Sequence, residues 1–421
     1  MNVVSLFSGC GGLDYGFEKA GFNVIFFNDS DSHCCTTLRL NKKENVIEFP
    51  IEQVSTEEVK KIVGSSESAI DILVGGPPCQ PFSKSAYWSK GDTLRMDDPR
   101  TDTLDDYFRF IEELRPKVFL LENVHGLNYN GKEEGFQYIL KRISEINSRH
   151  NTNYLPSWRV LNVADYGVPQ LRVRFFLIAE RAGRTFVFPQ PTYAATKEIQ
   201  QSLFGTKAKQ SYVTAWEAIG HIPDDKTQRL KVGGKWADLL PSIPEGENYL
   251  WHTDRKGGLP LFGWRARYWS FLLKLAKVSP SWTIQAQPGS AIGPFHWKNR
   301  KLSWQEMAAI QTFPQEFKIK GPRAEIQRQI GNAVPSLMAE VLARAIAEQF
   351  FGKEYHREFS LTIPRKKYIP PPEEVESVPK KYHHLIGTYA PHPGTGKGIS
   401  YKKSSGQQGH APDRQTARRL F

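Results

Sequence analysis

Short apolar runs separated by turns and helical stretches dominate residues 1–184. Runs with the length of buried parallel strands occupy residues 2–7, 24–27, 70–74 and 117–121. Between the first two runs, residues 13–20 have the length of a short helix that ends before Gly21. This alternation predicts an α/β fold with a doubly wound, Rossmann-like sheet.

Candidate functional groups follow each of these predicted strands. A glycine loop at residues 8–12 follows the first strand, Asp29 the second, Cys79 the third and Glu122 the fourth. Because the carboxyl ends of parallel strands meet at one edge of such a sheet, the four features are predicted to converge. Asp29 lies twenty positions after Gly9, the spacing of a carboxylate that binds ribose hydroxyls. The glycine loop alone is compatible with NAD, FAD or S-adenosylmethionine.

Cys79 lies in the stretch Gly-Gly-Pro-Pro-Cys-Gln-Pro-Phe-Ser at residues 75–83. The prolines fix φ and remove backbone donors, so the turn that presents the thiol is stiff, as nucleophilic catalysis requires. The other cysteines, Cys10, Cys34 and Cys35, fit the usual role of buried structural thiols. The sequence has no Cys-x-x-Cys pair, which argues against a disulfide framework or a zinc site and predicts no metal.

A further strand is predicted at residues 171–179. Residues two apart on a strand share a face, so Arg172 and Arg174 are expected to point together. The intervening apolar residues, Val173 among them, are expected to face the core. Paired arginines in this position suggest contact with an anion or a carbonyl group, although a solvated strand face would look the same.

Five segments resemble, in order, the motifs of the cytosine-C5 DNA methyltransferases of bacterial restriction-modification systems: residues 5–14, 75–83, 122–124, 170–174 and 329–335. They leave only the chain beyond about residue 350 uncovered. The resemblance implies an enzyme that transfers a methyl group from S-adenosylmethionine to C5 of a cytosine within a specific duplex DNA sequence. Because C6 of the base is inaccessible in a stacked duplex, the cytosine must leave the helix.

The same resemblance assigns roles to individual residues. Cys79 would attack C6, Glu122 would neutralise charge developing at N3, and Arg174, supported by Arg172, would hold the O2 carbonyl. Contacts with the cofactor are implied for Phe7, Gly9, Gly11, Gly12, Leu13, Asp29, Ser30, Ile51, Pro78, Leu104, Asn332, Ala333 and Val334.

Three departures from the family pattern fall in the cofactor region. Ser30 stands where members often place a bulky residue against the adenine. Pro50 replaces an aspartate that meets the adenine amino group, while Ile51 could still pack on the ring. Residues 100–104 are one residue longer than usual, which affects the carry-over of Leu104.

The alternation of strands and helices stops at about residue 185. Eight of the ten tryptophans lie within residues 216–304, which marks a change of composition. The family places its target-recognition domain here, expected to be small, irregular and mainly β, with the tryptophans in its core. Arginine is the commonest reader of guanine, so Arg265 and Arg267 are candidate DNA contacts, although phosphate or solvent contacts fit equally well. Gln80 and Ser83 are further candidates, on a stretch expected to close over the extruded base.

The chain is therefore expected to have four parts: a catalytic and cofactor-binding domain at 1–184, a target-recognition domain at 185–280, a return segment that completes the catalytic domain at 281–351, and a basic, flexible tail at 352–421. The net charge of +12 is unevenly distributed, with −4 on residues 1–183, +8 on 184–300 and +7 on 352–421. Basic excess confined to certain segments is what a polyphosphate partner requires, although a solvated charged surface would look the same.

The expected partner is double-stranded DNA, and the protein is expected to be monomeric and cytoplasmic. No apolar run reaches the length of a membrane span, and the N-terminus does not begin a signal peptide. A cognate restriction endonuclease would be a genetic rather than a physical partner, and the sequence does not show whether one exists. Two alternatives stay open: a tRNA cytosine methyltransferase and a non-catalytic DNA-binding relative. The long insert favours duplex DNA, and the presence of Cys79, Glu122 and Arg174 favours catalysis.

Overall fold

The computed structural model describes residues 1–63, 70–78, 102–124, 134–196, 199, 209–264 and 269–388. Its strands are β1 Asn2–Leu6, β2 Asn23–Asn28, β3 Val46–Ile47, β4 Ile72–Gly75, β5 Val118–Val124, β6 Leu155–Asn162, β7 Gln170–Leu171, β8 Val173–Glu180, β9 Tyr193–Ala194, β10 Gln210–Ser211 and β11 Ser281–Trp282. Its α-helices are α1 Gly12–Lys19, α2 Ser32–Leu40, α3 Thr56–Val63, α4 Asp102–Leu114, α5 Glu134–His150, α6 Ala215–Ile219, α7 Trp304–Ile310, α8 Arg323–Asn332 and α9 Ser336–Phe351. Short 3-10 helices occupy Ile51–Gln53, Val163–Tyr166, Ala237–Ser242, Tyr249–His252 and Lys380–Leu385.

Seven strands form one sheet in the order β3-β2-β1-β4-β5-β8-β6. Strands β1 to β5 pair with one another in parallel, while β8 is antiparallel to both β5 and β6. Alternate strand positions face opposite sides of the sheet, so each strand contributes to two cores. Val3 and Val74 pack with α1 and α9, whereas Val4 and Leu73 pack with α4 and α5. The predicted α/β, Rossmann-like fold is confirmed.

Helix α9, from the far end of the chain, packs directly against α1. A Cβ at Gly16 of α1 would overlap Ala339 and the carbonyl oxygen of Ser336, so only glycine allows this approach. The stretch Arg323–Phe351 has the length and hydropathy of a membrane span, but 89% of its most apolar window is buried inside the protein. The return of the chain after the insert thus places α8 and α9 beside the glycine loop.

The start of β8 differs from the predicted strand. β7 pairs with β11 in a separate ladder, and β8 joins the main sheet only at Val173. The expectation that Val173 faces the core is wrong, since its side chain is 39% exposed. The reason is its position: it pairs with Asn162 at the end of β6, the strand at the edge of the sheet.

The chain from β9 to the start of α7 is largely irregular. Pairing there includes the two-residue strands β9 and β10 and the isolated bridge between Phe271 and Ile292. Its apolar core contains Trp236, Tyr249 and Phe262, all of them buried. Short 3-10 helices therefore pack through aromatic side chains rather than through an extended sheet.

The segment after α9 packs against the protein as far as residue 388. The hydroxyl of Tyr355 donates to the carbonyl of Ala20, and the Glu340 carboxylate accepts the backbone N–H groups of Ser360 and Leu361 at 2.7 and 3.0 Å. The expectation of a flexible tail from residue 352 is therefore wrong for residues 353–388. A few apolar and charged side chains with distant partners anchor a stretch whose composition is that of a solvated extension. Residues 389–421 lie outside the described part of the chain.

Candidate active site

A cleft of about 450 Å³ opens at the carboxyl edge of the parallel strands. Its wall is built from the ends of β1, β2, β4 and β5, the start of β8, and the turn between α8 and α9. The predicted site residues that line it are Phe7, Gly9, Gly12, Leu13, Asp29, Ser30, Pro78, Glu122, Arg174, Asn332, Ala333 and Val334. Cys79, Gln80 and Ser83 lie outside the described residues, as do Arg265 and Arg267, but Pro78, the neighbour of Cys79, is on the cleft wall.

The glycine loop is held in place by the carboxylate of Asp29. One carboxylate oxygen accepts the backbone N–H of Gly9 at 2.8 Å, and the other accepts that of Asp31 at 2.9 Å. Burial raises the pKa of Asp29. Gly9 has a φ of 56°, and a Cβ built there would meet no atom within 4 Å. The loop therefore leaves open space next to a carboxylate, which is the shape that a ribose-bearing ligand needs.

Two further features fix the geometry of this loop. Gly11, the N-cap of α1, has a φ of 89°, a conformation that favours glycine. Phe7 has a φ of 53°, which is uncommon for a residue with a side chain and is typical of a constrained functional loop. Gly11 itself is absent from the cleft wall as described, so its contribution is the start of the helix.

The turn between α8 and α9 closes the cleft opposite the glycine loop. A Cβ at Gly12 would overlap the carbonyl oxygen of Val334, so the two segments are in direct contact. The Arg172 guanidinium donates to the carbonyls of Gly331 at 2.9 Å and Ile284 at 3.5 Å. Arg172 is 1% exposed and is not on the cleft wall. The structure therefore places Arg172 behind this turn.

Besides Gly11, two predicted cofactor contacts are not brought to the cleft. Ile51 and Leu104 are 3% and 6% exposed, and both belong to the apolar core on the α4 side of the sheet. Neither contributes to the cleft wall. Their packing accounts for their apolar character without a ligand.

Glu122 and Arg174 form an ion pair inside the cleft, with 3.1 Å between Oε1 and Nε. Arg174 pairs with Val124 across the β5–β8 ladder, two residues from Glu122, so both side chains project from one face of the sheet. Burial raises the pKa of Glu122, and the charges of Arg174 and Arg172 only partly offset this. Glu122 therefore holds a proton at higher pH than an ordinary glutamate.

The backbone after β4 approaches Glu122 closely. A Cβ at Gly76 would lie 3.0 Å from Oε2 of Glu122, so a larger residue would press on the carboxylate. The Asn123 amide donates to the carbonyl of Pro77 at 3.2 Å. Neither contact was predicted, although Asn123 lies in a motif that the sequence analysis identified. The segment that leads to Cys79 is thus tied to the strand that carries Glu122.

Arg328 at the rim of the cleft was also missed. It forms ion pairs with Asp31 and Glu325, both at 2.5 Å, and links α8 to the start of α2. The sequence offered no signal for this contact because it joins residues almost 300 positions apart. Among the described residues, no group of three or more His, Cys, Asp or Glu side chains could hold a metal ion.

Comparison with known proteins gives consistent matches. The family model described as C-5 cytosine-specific DNA methylase matches residues 1–348. The type II methyltransferase M.SacI of Streptomyces achromogenes is 38% identical over 370 residues, covering 82% of this chain and 93% of that protein. The type II methyltransferase M.NgoFVII of Neisseria gonorrhoeae is 33% identical over 353 residues, covering 83% and 87%.

Solved structures show the same fold. The crystal structure of a putative DNA modification methyltransferase encoded within a prophage of E. coli has a TM-score of 0.56 and 23% identity, covering 83% of this chain and 99% of that one. A mutant of Spodoptera frugiperda DNMT2 has a TM-score of 0.54 and 16% identity, covering 82% and 99%. At these identities the likeness concerns the fold alone.

Proposed function

The chain belongs to the C-5 cytosine-specific DNA methylase family, and from this premise we propose the chemistry of its cleft. It is a DNA cytosine-5 methyltransferase of the type II restriction-modification class. The proposal is that it methylates an extruded cytosine within a specific duplex sequence through a covalent bond from Cys79 to C6. The observation that carries it is the buried Glu122–Arg174 pair, which shares one cleft with the glycine loop, Asp29 and Pro78.

The cleft suits S-adenosylmethionine, which the family implies as cofactor. Asp29 would accept hydrogen bonds from the ribose hydroxyls of the cofactor. The open space at Gly9 would admit the cofactor, and the turn from Asn332 to Val334 would cover it. When bound, S-adenosylmethionine supplies the methyl group that C5 receives. Ile51 and Leu104 would support the pocket from behind rather than touch the ligand.

The chain's own residues would prepare the base for this reaction. The Cys79 thiolate forms a bond to C6, and the electron pair displaced from the C5–C6 double bond makes C5 nucleophilic. Glu122 supplies a proton at N3, so the ring does not build up negative charge. After methylation C5 loses its proton to solvent, and the electron pair left at C5 re-forms the C5–C6 double bond as the C6–sulfur bond breaks. The thiolate leaves, and N3 returns its proton to Glu122. The raised pKa of Glu122 supports its role as the proton donor.

Arg174 and Arg172 would contribute in different ways. Arg174 lies in the cleft beside Glu122 and would hold the O2 carbonyl of the base. Arg172 would act as a positioning residue, because its guanidinium binds the backbone that precedes the Asn332–Val334 turn. This assignment replaces the direct catalytic role that the motif suggests for Arg172.

The remaining parts of the chain would select the DNA. We assign cofactor binding and catalysis to residues 1–184 with 281–351, and base recognition to the insert at 185–280. Gln80, Ser83, Arg265 and Arg267 stay candidates for DNA contact on the sequence evidence alone. Methylation of its own target sites would protect host DNA from a cognate nuclease. M.SacI and M.NgoFVII are both named type II methyltransferases, which supports DNA methylation in a restriction-modification system over RNA methylation.

Bisulfite sequencing of plasmid DNA from expressing cells tests the proposed function. We expect one short sequence in which a single cytosine resists conversion at every occurrence. The same protein incubated with tRNA should transfer no methyl group. Complete conversion of the plasmid, or transfer to tRNA in preference to DNA, would contradict the proposal.

Asp29→Ala should weaken S-adenosylmethionine binding by about tenfold to a hundredfold, because a hydrogen bond to a charged group contributes roughly 1.5–3 kcal/mol. The variant loses both the proposed ribose contact and the anchor of Gly9. Isothermal titration calorimetry measures the affinity directly. Asp224→Ala, which removes a half-exposed carboxylate from the insert, serves as the matched control and should bind normally. Equal affinities for the two variants would rule out the proposed role of Asp29.

Arg172→Met and Arg174→Met should impair different properties, the first the affinity for S-adenosylmethionine and the second the rate of methylation. Arg172→Met should bind S-adenosylmethionine about tenfold more weakly, since loss of hydrogen bonds from a charged group frees the Gly331–Asn332 backbone. Arg174→Met should bind it normally but methylate slowly at saturating concentrations. Calorimetry and single-turnover rates separate the two effects. If Arg172→Met keeps its affinity and loses rate as Arg174→Met does, Arg172 acts directly on the base.

A further inference from the structure

The segment 353–388 lies beyond the family match, which ends at residue 348, and yet it contacts distant parts of the protein. Its first anchor is α9 in the catalytic part. Arg344 of that helix donates to the carbonyls of Arg357 at 2.7 Å and Glu358 at 2.9 Å. The chain therefore leaves α9 and immediately folds back along it.

Two buried charged residues of the insert, Glu217 and Lys277, then bind the segment. Arg365 pairs with Glu217 at 3.1 Å, and Glu217 is only 3% exposed. Farther along, the Lys277 ammonium donates to Glu245, Glu373 and the carbonyl of Pro371, each at 2.8 Å. Lys277 is 2% exposed, so the C-terminal segment supplies two of the three acceptors for a buried charge. Such a charge is costly to leave without partners.

The far end of the segment completes the apolar core of the insert. Tyr382 is 3% exposed and stacks on Trp236, with ring centroids 5.5 Å apart and planes at 14°. Its hydroxyl donates to the carbonyl of Lys235 at 2.7 Å. Val378 and Leu385 pack against the same core. This core therefore draws on two stretches of chain more than eighty residues apart.

The segment ends beside the stretch that leads to Arg265 and Arg267, the candidate DNA contacts of the insert. The backbone N–H of Gly387 donates to the carbonyl of Pro260 at 3.0 Å. Pro260 belongs to residues 256–264, the described portion of the stretch that continues to Arg265 and Arg267. The C-terminal segment thus contacts both the core under that stretch and its backbone.

We propose that the recognition module has two parts, the insert and residues 373–388, and that the second part positions the stretch around Pro260 for DNA. This inference rests on the proposed function, since it concerns how the same enzyme selects its sequence. Tyr382 is its main positioning residue, because it joins the aromatic core to the segment that ends at Gly387. The insert alone would then not be sufficient to recognise the DNA sequence.

Three variants of the full chain test this inference. Tyr382→Ala removes the stacked ring, Tyr382→Phe keeps the ring and loses only the hydroxyl, and Tyr368→Ala removes a tyrosine that is 69% exposed on the same segment. Binding is measured with a duplex that contains the methylated site, with a scrambled duplex, and with S-adenosylmethionine. Tyr382→Ala should bind the specific duplex at least tenfold more weakly, while its binding to the scrambled duplex and to S-adenosylmethionine changes less than twofold. Tyr382→Phe and Tyr368→Ala should differ from the unaltered protein by less than threefold.

Other results would overturn the inference. One is equal binding of the specific duplex by Tyr382→Ala and Tyr368→Ala; another is a matching loss of S-adenosylmethionine affinity in Tyr382→Ala, which would mean that the segment only supports the whole fold. If Tyr382→Ala does not fold, Leu385→Ala removes a smaller part of the same contact and should show the same selective loss, to a smaller extent. Failure of the proposed function would appear instead as absence of methylation by the unaltered protein.

Discussion

Cys79→Ala should abolish methyl transfer and leave S-adenosylmethionine binding intact. The proposed reaction needs a thiolate to attack C6, and alanine offers no nucleophile, so the rate should fall by roughly 10⁴-fold or more, as it does when a covalent catalyst is removed from other enzymes. The proposed cofactor contacts come from the glycine loop, Asp29 and the turn before α9, which line the cleft and which the substitution does not alter. Methyl transfer to duplex DNA and calorimetric titration of the cofactor measure the two properties separately.

Cys35→Ala provides the matched control for the loss of a thiol. Cys35 is buried in α2 and donates to the carbonyl of Asp29. Burial raises the pKa of its thiol, which disfavours the thiolate that nucleophilic attack requires. This variant should methylate at a rate within about threefold of the unaltered protein, with some loss of stability. Near-normal turnover by Cys79→Ala would refute covalent catalysis by this residue.

Glu122→Gln should slow the chemical step by about 10²–10⁴-fold, the usual contribution of a positioned general acid. Glutamine keeps the size of the side chain, so binding of DNA should change little. It cannot give up a proton to N3, so the chemical step should be slow. Single-turnover rates and DNA affinity, measured on the same preparation, distinguish the two effects. A loss of tenfold or less in rate, with DNA binding weakened equally, would remove Glu122 from this role.

The pH dependence of the rate gives a second test of Glu122. Burial raises the pKa of this carboxyl group, so the protonated form persists above the range of an ordinary glutamate. Since the reaction needs both the thiolate of Cys79 and the protonated form of Glu122, the single-turnover rate should rise with pH as the thiolate forms and then fall as the pH rises through the pKa of Glu122. Glu122→Gln should lack this decline. A decline of the same size in both proteins would assign it to another group.

The convergence of the cleft was predictable because it depends on strand order alone. Residues that follow parallel strands meet at one edge of a doubly wound sheet, and Asp29, Pro78 and Glu122 do so here. The approach of Asn332 and Val334 rested on resemblance, since no local pattern indicates that α9 returns to α1. Close contact at Gly12 and Gly16 makes that return possible.

Other contacts could not be read from local patterns. The distinct position of Arg172 follows from the separate ladder of β7 with β11, which joins residues more than one hundred positions apart. Tyr382 lies among prolines and lysines, and its burial depends on Trp236, far away in sequence. The composition of residues 352–421 is that of a solvated extension. Composition does not reveal that a few of these side chains are anchored by partners distant in sequence.

Duplex DNA with 5-fluorocytosine at the methylated position tests the central claim most directly. Fluorine at C5 cannot leave as a proton does, so the bond from Cys79 to C6 should persist after methyl transfer. Incubation with S-adenosylmethionine should give a protein–DNA adduct that survives denaturation, and mass spectrometry of its peptides should place the modified base on Cys79. An adduct on another residue, or active methylation of ordinary DNA without any adduct on the fluorinated duplex, would contradict the account.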